Sequence, residues 1–85
     1  MKYQVRWVQS ALDDLMNHWT ASDSVTRSRI TIAAHSLDQK FEQNPYGFGE
    51  SRNAGERVYF VDPVGALVEI DDATKTVWVL CVWLF

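Results

Sequence analysis

Few side chains in this 85-residue sequence carry reactive chemistry, and they are scattered along it. Glu50, Arg52 and Arg57 place one carboxylate and two guanidinium groups in a short stretch. By residue type they read as a surface ion-pair cluster, which contributes little to stability. His18 and His35 belong to two different predicted helices, off their apolar stripes, and are expected to be exposed; two histidines alone do not make a metal site. Asp71-Asp72 reads as turn chemistry, because short acidic side chains bond nearby backbone amides. Cys81 is the one cysteine. It lies in an apolar run and reads as a small buried hydrophobe. With a single cysteine, neither an internal disulfide nor a paired-cysteine zinc site is possible. No cofactor motif is present. Trp83 and Phe85 fall on one face of the terminal segment. They fit either a core under a loop or a docking surface for a partner peptide.

Composition limits the class of function. Hydrophobic residues make up 47% of the chain and charged residues 22%, too apolar a mixture for a disordered segment. The length is that of one domain, spanning 1–85, and a TIM barrel would need roughly 250 residues. The net charge is −3, whereas a generic nucleic-acid binder carries a basic surplus. The deficit is local. Residues 1–43 hold five basic and five acidic side chains, whereas residues 44–85 hold three basic and six acidic. Four Trp, four Phe and three Tyr are a heavy aromatic load for this length. Residues 1–10 mix polar with apolar side chains and show no signal-peptide core. The longest apolar run, Val77–Phe85, has nine residues, far below the ~20 that span a bilayer. A cytoplasmic location is the expectation.

The elements that must position these groups follow from periodicity. Tyr3, Val5 and Trp7 alternate with other residues and predict a strand over 2–8. Ser10 and Asp13 have capping-box spacing. Leu12, Leu15, Met16 and Trp19 then form one helical stripe, predicting a short helix over 11–20. Thr20–Ser24 breaks it. Thr26, Ile30, Ala33, Leu37 and Phe41 predict a longer helix over 24–43, ended by Asn44-Pro45. Residues 44–55 hold three glycines and read as a loop. Strands are predicted over 57–61, 66–70 and 75–85, joined by turns at Asp62–Gly65 and Asp71–Thr74. Connections this short make consecutive strands antiparallel neighbours. The last strand is apolar on both faces and belongs inside the sheet. Trp78, Leu80, Val82 and Leu84 are expected on one face of it, and Val77, Val79, Cys81, Trp83 and Phe85 on the other. Trp7, Trp19 and Trp78 are expected in the core. The result is a two-layer α+β domain, β-α-α-β-β-β, with a helical hairpin packed on an antiparallel sheet. The hairpin covers one sheet face. The other needs a second chain or remains a solvated aromatic surface.

This order, at this length, resembles the RelE/ParE superfamily of type II toxin–antitoxin toxins. Asn44-Pro45-Tyr46 resembles the family's ending of the second helix. Gly49-Glu50-Ser51-Arg52 with Arg57-Val58-Tyr59-Phe60 resembles its loop and second strand. Pro63–Ile70 and Val77–Trp83 resemble the plasmid-stabilisation-like subgroup. The resemblance covers essentially the whole chain, through several weak motifs together.

What the resemblance implies is a toxin that inhibits growth unless its cognate antitoxin binds it, with a homodimer as another possible assembly. RelE-type members cut mRNA on the ribosome, which needs a base, a cation and an acid. Glu50 would be the base, and Arg52 and Arg57 would clamp phosphate. The chain departs from that pattern in two places. Gly65-Ala66 stands where the nuclease branch carries an arginine. Trp83-Leu84-Phe85 stands where it ends in groups that transfer protons. Whether the chain is an enzyme therefore stays open. The alternatives are a ParE-like inhibitor of DNA gyrase and a catalytically silent protein-binding module. Trp83 and Phe85 are the expected partner-binding residues. No metal or cofactor is expected.

Overall fold

Asp23 starts the longest element. Its carboxylate accepts a hydrogen bond from the Thr26 amide at 2.8 Å, satisfying one free donor of a helix start. Helix α2 (Ser24–Gln43) then runs to the proline stop, with Ile30, Ala33, Leu37 and Phe41 buried along one face. Burying Ile30, Leu37 and Phe41 contributes about 1.5–3 kcal/mol each. The computed structural model describes residues 2–53 and 55–85. Met1, in the opening segment, and Ala54, in the expected loop 44–55, lie outside the described residues.

Strand β1 (Gln4–Trp7) passes through Val8 alone into helix α1 (Gln9–Ala21). That tight connection corrects two expectations. The N-cap is Val8, with no side-chain cap bond. Ser10 is already inside the helix, and Asp13 accepts from Gln9 Nε2 instead. The buried face is also turned by one residue, roughly 100°. Ala11 is fully buried, flanked by half-buried Leu15 and His18. Leu12, Met16 and Trp19, expected to be core, are 39%, 57% and 37% exposed. His18 is thus more buried than its position off the stripe implied, while His35 is exposed.

The sheet has five strands in the order β1-β5-β4-β3-β2, with β2 (Glu50–Ser51), β3 (Glu56–Val61), β4 (Val64–Asp71) and β5 (Thr76–Leu84). β3, β4 and β5 form an antiparallel meander. β1 closes one edge, parallel to β5. β5 lies inside the sheet, as its two apolar faces require. The fold is the expected two-layer α+β arrangement with one added strand, and the sheet expected to be antiparallel is mostly so, with β1 joining it in parallel. β2 falls inside the expected loop, where Glu50 and Ser51 pair with Val58 and Arg57. β4 begins at Val64 because the preceding turn narrows to Asp62-Pro63, a cis peptide, and Val61 pairs directly with Val64.

A β-bulge redistributes the terminal strand. Val68 pairs with Val79, but Leu67 pairs with Cys81, so Leu80 has no partner in the ladder. An extra residue shifts the period-two alternation. Val77 and Val79 face the helices before the bulge; Val82 and Leu84 join that core after it. Trp78, Cys81, Trp83 and Phe85 are left on the opposite face. Both single-face sets expected from strict alternation are corrected here. Trp78 is 36% exposed and not core. Cys81 is half-buried; burial and the negative charge of Asp14 push its thiol up.

Candidate functional site

The outer face of the sheet, away from the helices, carries an aromatic cluster built by register. Phe60 opposes Gly65, and Gly65 opposes Trp83. Having no side chain of its own, Gly65 lets the Trp83 indole lie flat on the backbone. A Cβ there would come within 2.5 Å of Trp83 Cε2 and 2.8 Å of Cζ2. Phe60 meets Trp83 edge-on at 6.0 Å and Phe85 at 5.3 Å. The structure thus brings together Trp83 and Phe85, two residues singled out from sequence, and adds Phe60. Phe60 is 52% and Phe85 60% exposed. The Val61–Val64 turn sets Phe60 against Gly65, whereas Gly65 meets Trp83 through the bulged β4–β5 ladder, which no sequence signal marks.

Glu50, Arg52 and Arg57 do not converge. Arg52 Nη1 lies 3.3 Å from Glu50 Oε2, both exposed. Arg57 stands opposite Ser51, one position out of register with Glu50, and so faces the helix side with Tyr59. There its Nη2 donates to the Phe48 and Gly49 carbonyls at 2.9 and 3.3 Å. Its guanidinium also lies 5.6 Å from the Tyr46 ring. Among the described residues, the buried Arg57 Nε has no hydrogen-bond partner. These bonds hold residues 46–49 against the sheet. Gly49, at φ +78°, makes the turn possible. Tyr59 fixes the start of the same segment by donating to the Pro45 carbonyl at 2.6 Å.

Beside Arg57 is a group that sequence reading missed. Asp72 accepts from Tyr3 Oη at 3.0 Å and from Tyr46 Oη at 2.7 Å. The Tyr46 and Tyr3 hydroxyls hold the Asp72 carboxyl below its usual range. The bond to Asp72 pushes the Tyr46 phenol up to about 12. Tyr46, Ser51, Arg57 and Asp72 line a shallow cavity of about 250 Å³. The two shifts run apart, Asp72 downward and Tyr46 upward. Of the Asp71-Asp72 pair, Asp71 does the expected turn work, accepting from the Ala73 and Thr74 amides. Nothing in the sequence pattern separated the two. Among the described residues, no group of three or more His, Cys, Asp or Glu could hold a metal ion.

A second exposed apolar surface runs along the helices. Leu15, Met16, Trp19 and Ala34 line a groove of about 320 Å³. Trp19 is fixed by its Nε1–H bond to Thr31 Oγ1 and by Arg27 stacked at 4.6 Å. No helix among the described residues is long and apolar enough to cross a membrane.

This architecture is found in known structures. One chain of the toxin–antitoxin complex RelBE2 from Mycobacterium tuberculosis is similar over 100% of this chain and 93% of that one, with TM-score 0.77 and 20% identity. A chain of the chromosomal ParDE system from P. aeruginosa is similar over 98% of this chain and 96% of that one, with TM-score 0.72 and 13% identity. The chain has the RelE/ParE fold. The isolated RelE toxin of E. coli shares it over 96% of this chain and 83% of that one, with TM-score 0.64 and 15% identity. No protein-family model matches the sequence, and no curated protein matches it. At these identities the RelE/ParE fold establishes the backbone arrangement, and function must be argued from this chain's own surfaces.

Proposed function

We propose that this chain is a toxin of the RelE/ParE superfamily in a type II toxin–antitoxin module, of the plasmid-stabilisation-like kind. It is held inactive by a cognate antitoxin in the cytoplasm, and it acts by protein recognition rather than RNA cleavage. The observation that carries the toxin reading is the end-to-end similarity to a chain of a toxin–antitoxin complex, covering 100% of this sequence. The outer sheet face supports the second half. It presents Phe60, Trp83 and Phe85, which form contact surface and cannot transfer protons. Glu50 and Arg52 neutralise each other there, and Arg57 is engaged on the other side. A phosphate-binding surface would need uncompensated cations. A gyrase-like protein target fits these features better than ribosome-bound mRNA. In this reading Trp83 and Phe85 are partner-binding residues, and Glu50, Arg52 and Arg57 have no catalytic role.

The test is inducible expression of the chain alone, followed by growth, mRNA integrity and DNA-damage readouts. Growth arrest with intact mRNA is expected, unchanged by Glu50→Ala or Arg52→Ala. Arrest accompanied by mRNA cleavage that these substitutions abolish would overturn the recognition mechanism. Normal growth would overturn the toxin reading and leave a silent binding module with this fold.

A further inference from the structure

Across the outer sheet face, one row of side chains is set entirely by strand pairing. Arg6 of β1 pairs with Trp78 of β5. Trp78 pairs with Glu69 of β4, and Glu69 pairs with Glu56 of β3. Two carboxylates therefore stand directly opposite each other on adjacent strands. Such like-charged cross-strand pairs destabilise a sheet. Among the described residues, neither glutamate belongs to an ion pair; the bridges are Lys2–Glu42, Arg29–Asp62 and Arg52–Glu50. Glu56 has only a long 3.4 Å bond from Asn53 Nδ2. Trp78 separates the acidic pair from Arg6, and the residue is 36% exposed. On the same face, four residues along β4, lies the Phe60–Trp83–Phe85 cluster over Gly65. Four strand residues span about 13 Å.

We infer that the outer sheet face docks a basic, apolar-anchored segment of the partner protein: an aromatic or branched aliphatic side chain on the Trp83 cluster, and a Lys or Arg about 13 Å away between Glu56, Glu69 and Trp78. This rests on the partner-binding reading above and adds the partner's chemistry to it. Three features argue for a basic occupant. Register sets Glu56 and Glu69 side by side with no ion-pair partner among the described residues, so an incoming cation would neutralise both at once. An indole face attracts ammonium and guanidinium groups. The half of the chain that builds this face holds three basic against six acidic residues, so the long-range field also favours a cationic partner. Trp83 is already held in place on Gly65, so little side-chain freedom is lost when an anchor packs on it. The helical groove lined by Met16 and Trp19 offers no comparable charge signature.

The experiment is selection of random 12-residue peptides displayed on phage against the intact chain, followed by calorimetry of the recovered peptides. Recovered peptides are expected to pair an aromatic or branched aliphatic residue with Lys or Arg. Their affinity is expected to fall about tenfold or more in the Glu56→Gln/Glu69→Gln double variant, the scale of a close charge pair across an interface. A similar fall is expected in Trp83→Ala. The double glutamine variant removes a repulsion, so its melting temperature should be unchanged or higher, which separates lost binding from lost folding. Recovery of no binders, of peptides without enrichment in Lys and Arg, or of binders indifferent to Glu56→Gln/Glu69→Gln would overturn the inference. The selection does not require toxicity. If the chain proves harmless on expression, the toxin reading fails while this result stands, and the reverse also holds.

Discussion

Gly65→Ala should be destabilising, although its backbone accepts alanine. The φ of Gly65 is not in the left-handed region. Replacing glycine by alanine at a compatible position normally stabilises by about 0.4–1 kcal/mol through the unfolded chain. Here the new methyl would lie within 2.5 Å of Trp83 Cε2, and the indole is a rigid plane that has to leave as a whole. Overpacking costs about 1–3 kcal/mol. Lifting the ring also disturbs the edge-on contact with Phe60 at 6.0 Å, worth about 0.5–1.5 kcal/mol. After the alanine gain is subtracted, the net loss is about 1–3 kcal/mol, or roughly 5–20 °C in melting temperature for a domain this small. The decisive assay is a double-mutant cycle with Trp83→Ala, read by thermal and urea unfolding. With the indole gone, Gly65→Ala has nothing to strike and should become neutral or stabilising. A change of sign between the two backgrounds is the expected result. Equal losses in both backgrounds, or no loss beside the native Trp83, would refute the account of how this cluster is built.

Other consequences are as direct. Gly49→Ala should be more damaging still, by about 2–4 kcal/mol in urea unfolding, because its φ of +78° opposes a side chain and the added carbon meets both the Tyr59 ring and the Val58 carbonyl. Arg57→Ala should lower stability by about 1–3 kcal/mol through the lost bonds to the Phe48 and Gly49 carbonyls, whereas Glu50→Ala and Arg52→Ala should each fall within about 1 kcal/mol of the parent. In an alkaline titration followed by phenolate absorbance, Tyr46 should ionise late, near 12. Its folded value is raised above the unfolded 10.0, so its contribution is complete below pH 10 and is lost as pH climbs towards 12. Asp72→Asn should return the phenol towards its ordinary value. For Asp38, burial raises the carboxyl, so the charged form works against folding as pH rises through that value. Asp38→Asn, if it still accepts from Trp7 Nε1, should stabilise at pH 7 and lose that advantage near pH 3, as thermal unfolding at the two values would show.

The legibility of this chain tracks how local each determinant is. Helix α2 is readable in its extent and facing, because its buried stripe and its proline stop lie in one segment, although the sequence does not single out Asp23 among the capping residues of Thr20–Ser24. Helix α1 was readable as a helix but not in its facing. The one-residue link through Val8 orients it, and β5 receives it; neither enters a periodicity argument. The sorting of β5 failed at Leu80 for a similar reason. A bulge is invisible in a strand whose residues are apolar on both faces, since no polar residue breaks step to mark the shift. The outward placement of Trp78 and Trp19 followed from those two errors, and it changed the character of the surface. Aromatic residues assigned to the core became exposed contact area on both layers of the domain.

The grouping of Glu50, Arg52 and Arg57 is divided by parity. Strand pairing fixes which residues share a face, and β2 against β3 sets Glu50 across from Val58 and Ser51 across from Arg57. Glu50 and Arg57 thus project from opposite sides of the sheet, and Arg57 is engaged on its side by the Phe48 and Gly49 carbonyls. Proximity in sequence suggests a cluster because residues 44–55 read as a loop, in which parity has no meaning. The two-residue strand β2 removes that freedom. Glu56 and Glu69 show the converse. They are 13 positions apart and unremarkable in sequence, yet pairing sets them side by side on the exposed face next to Trp78. For a sheet surface, the register is the site, and here it assembles aromatic rings and unpaired carboxylates rather than a proton-transfer pair. In the reading proposed above, such a face suits a cationic protein segment better than an RNA backbone.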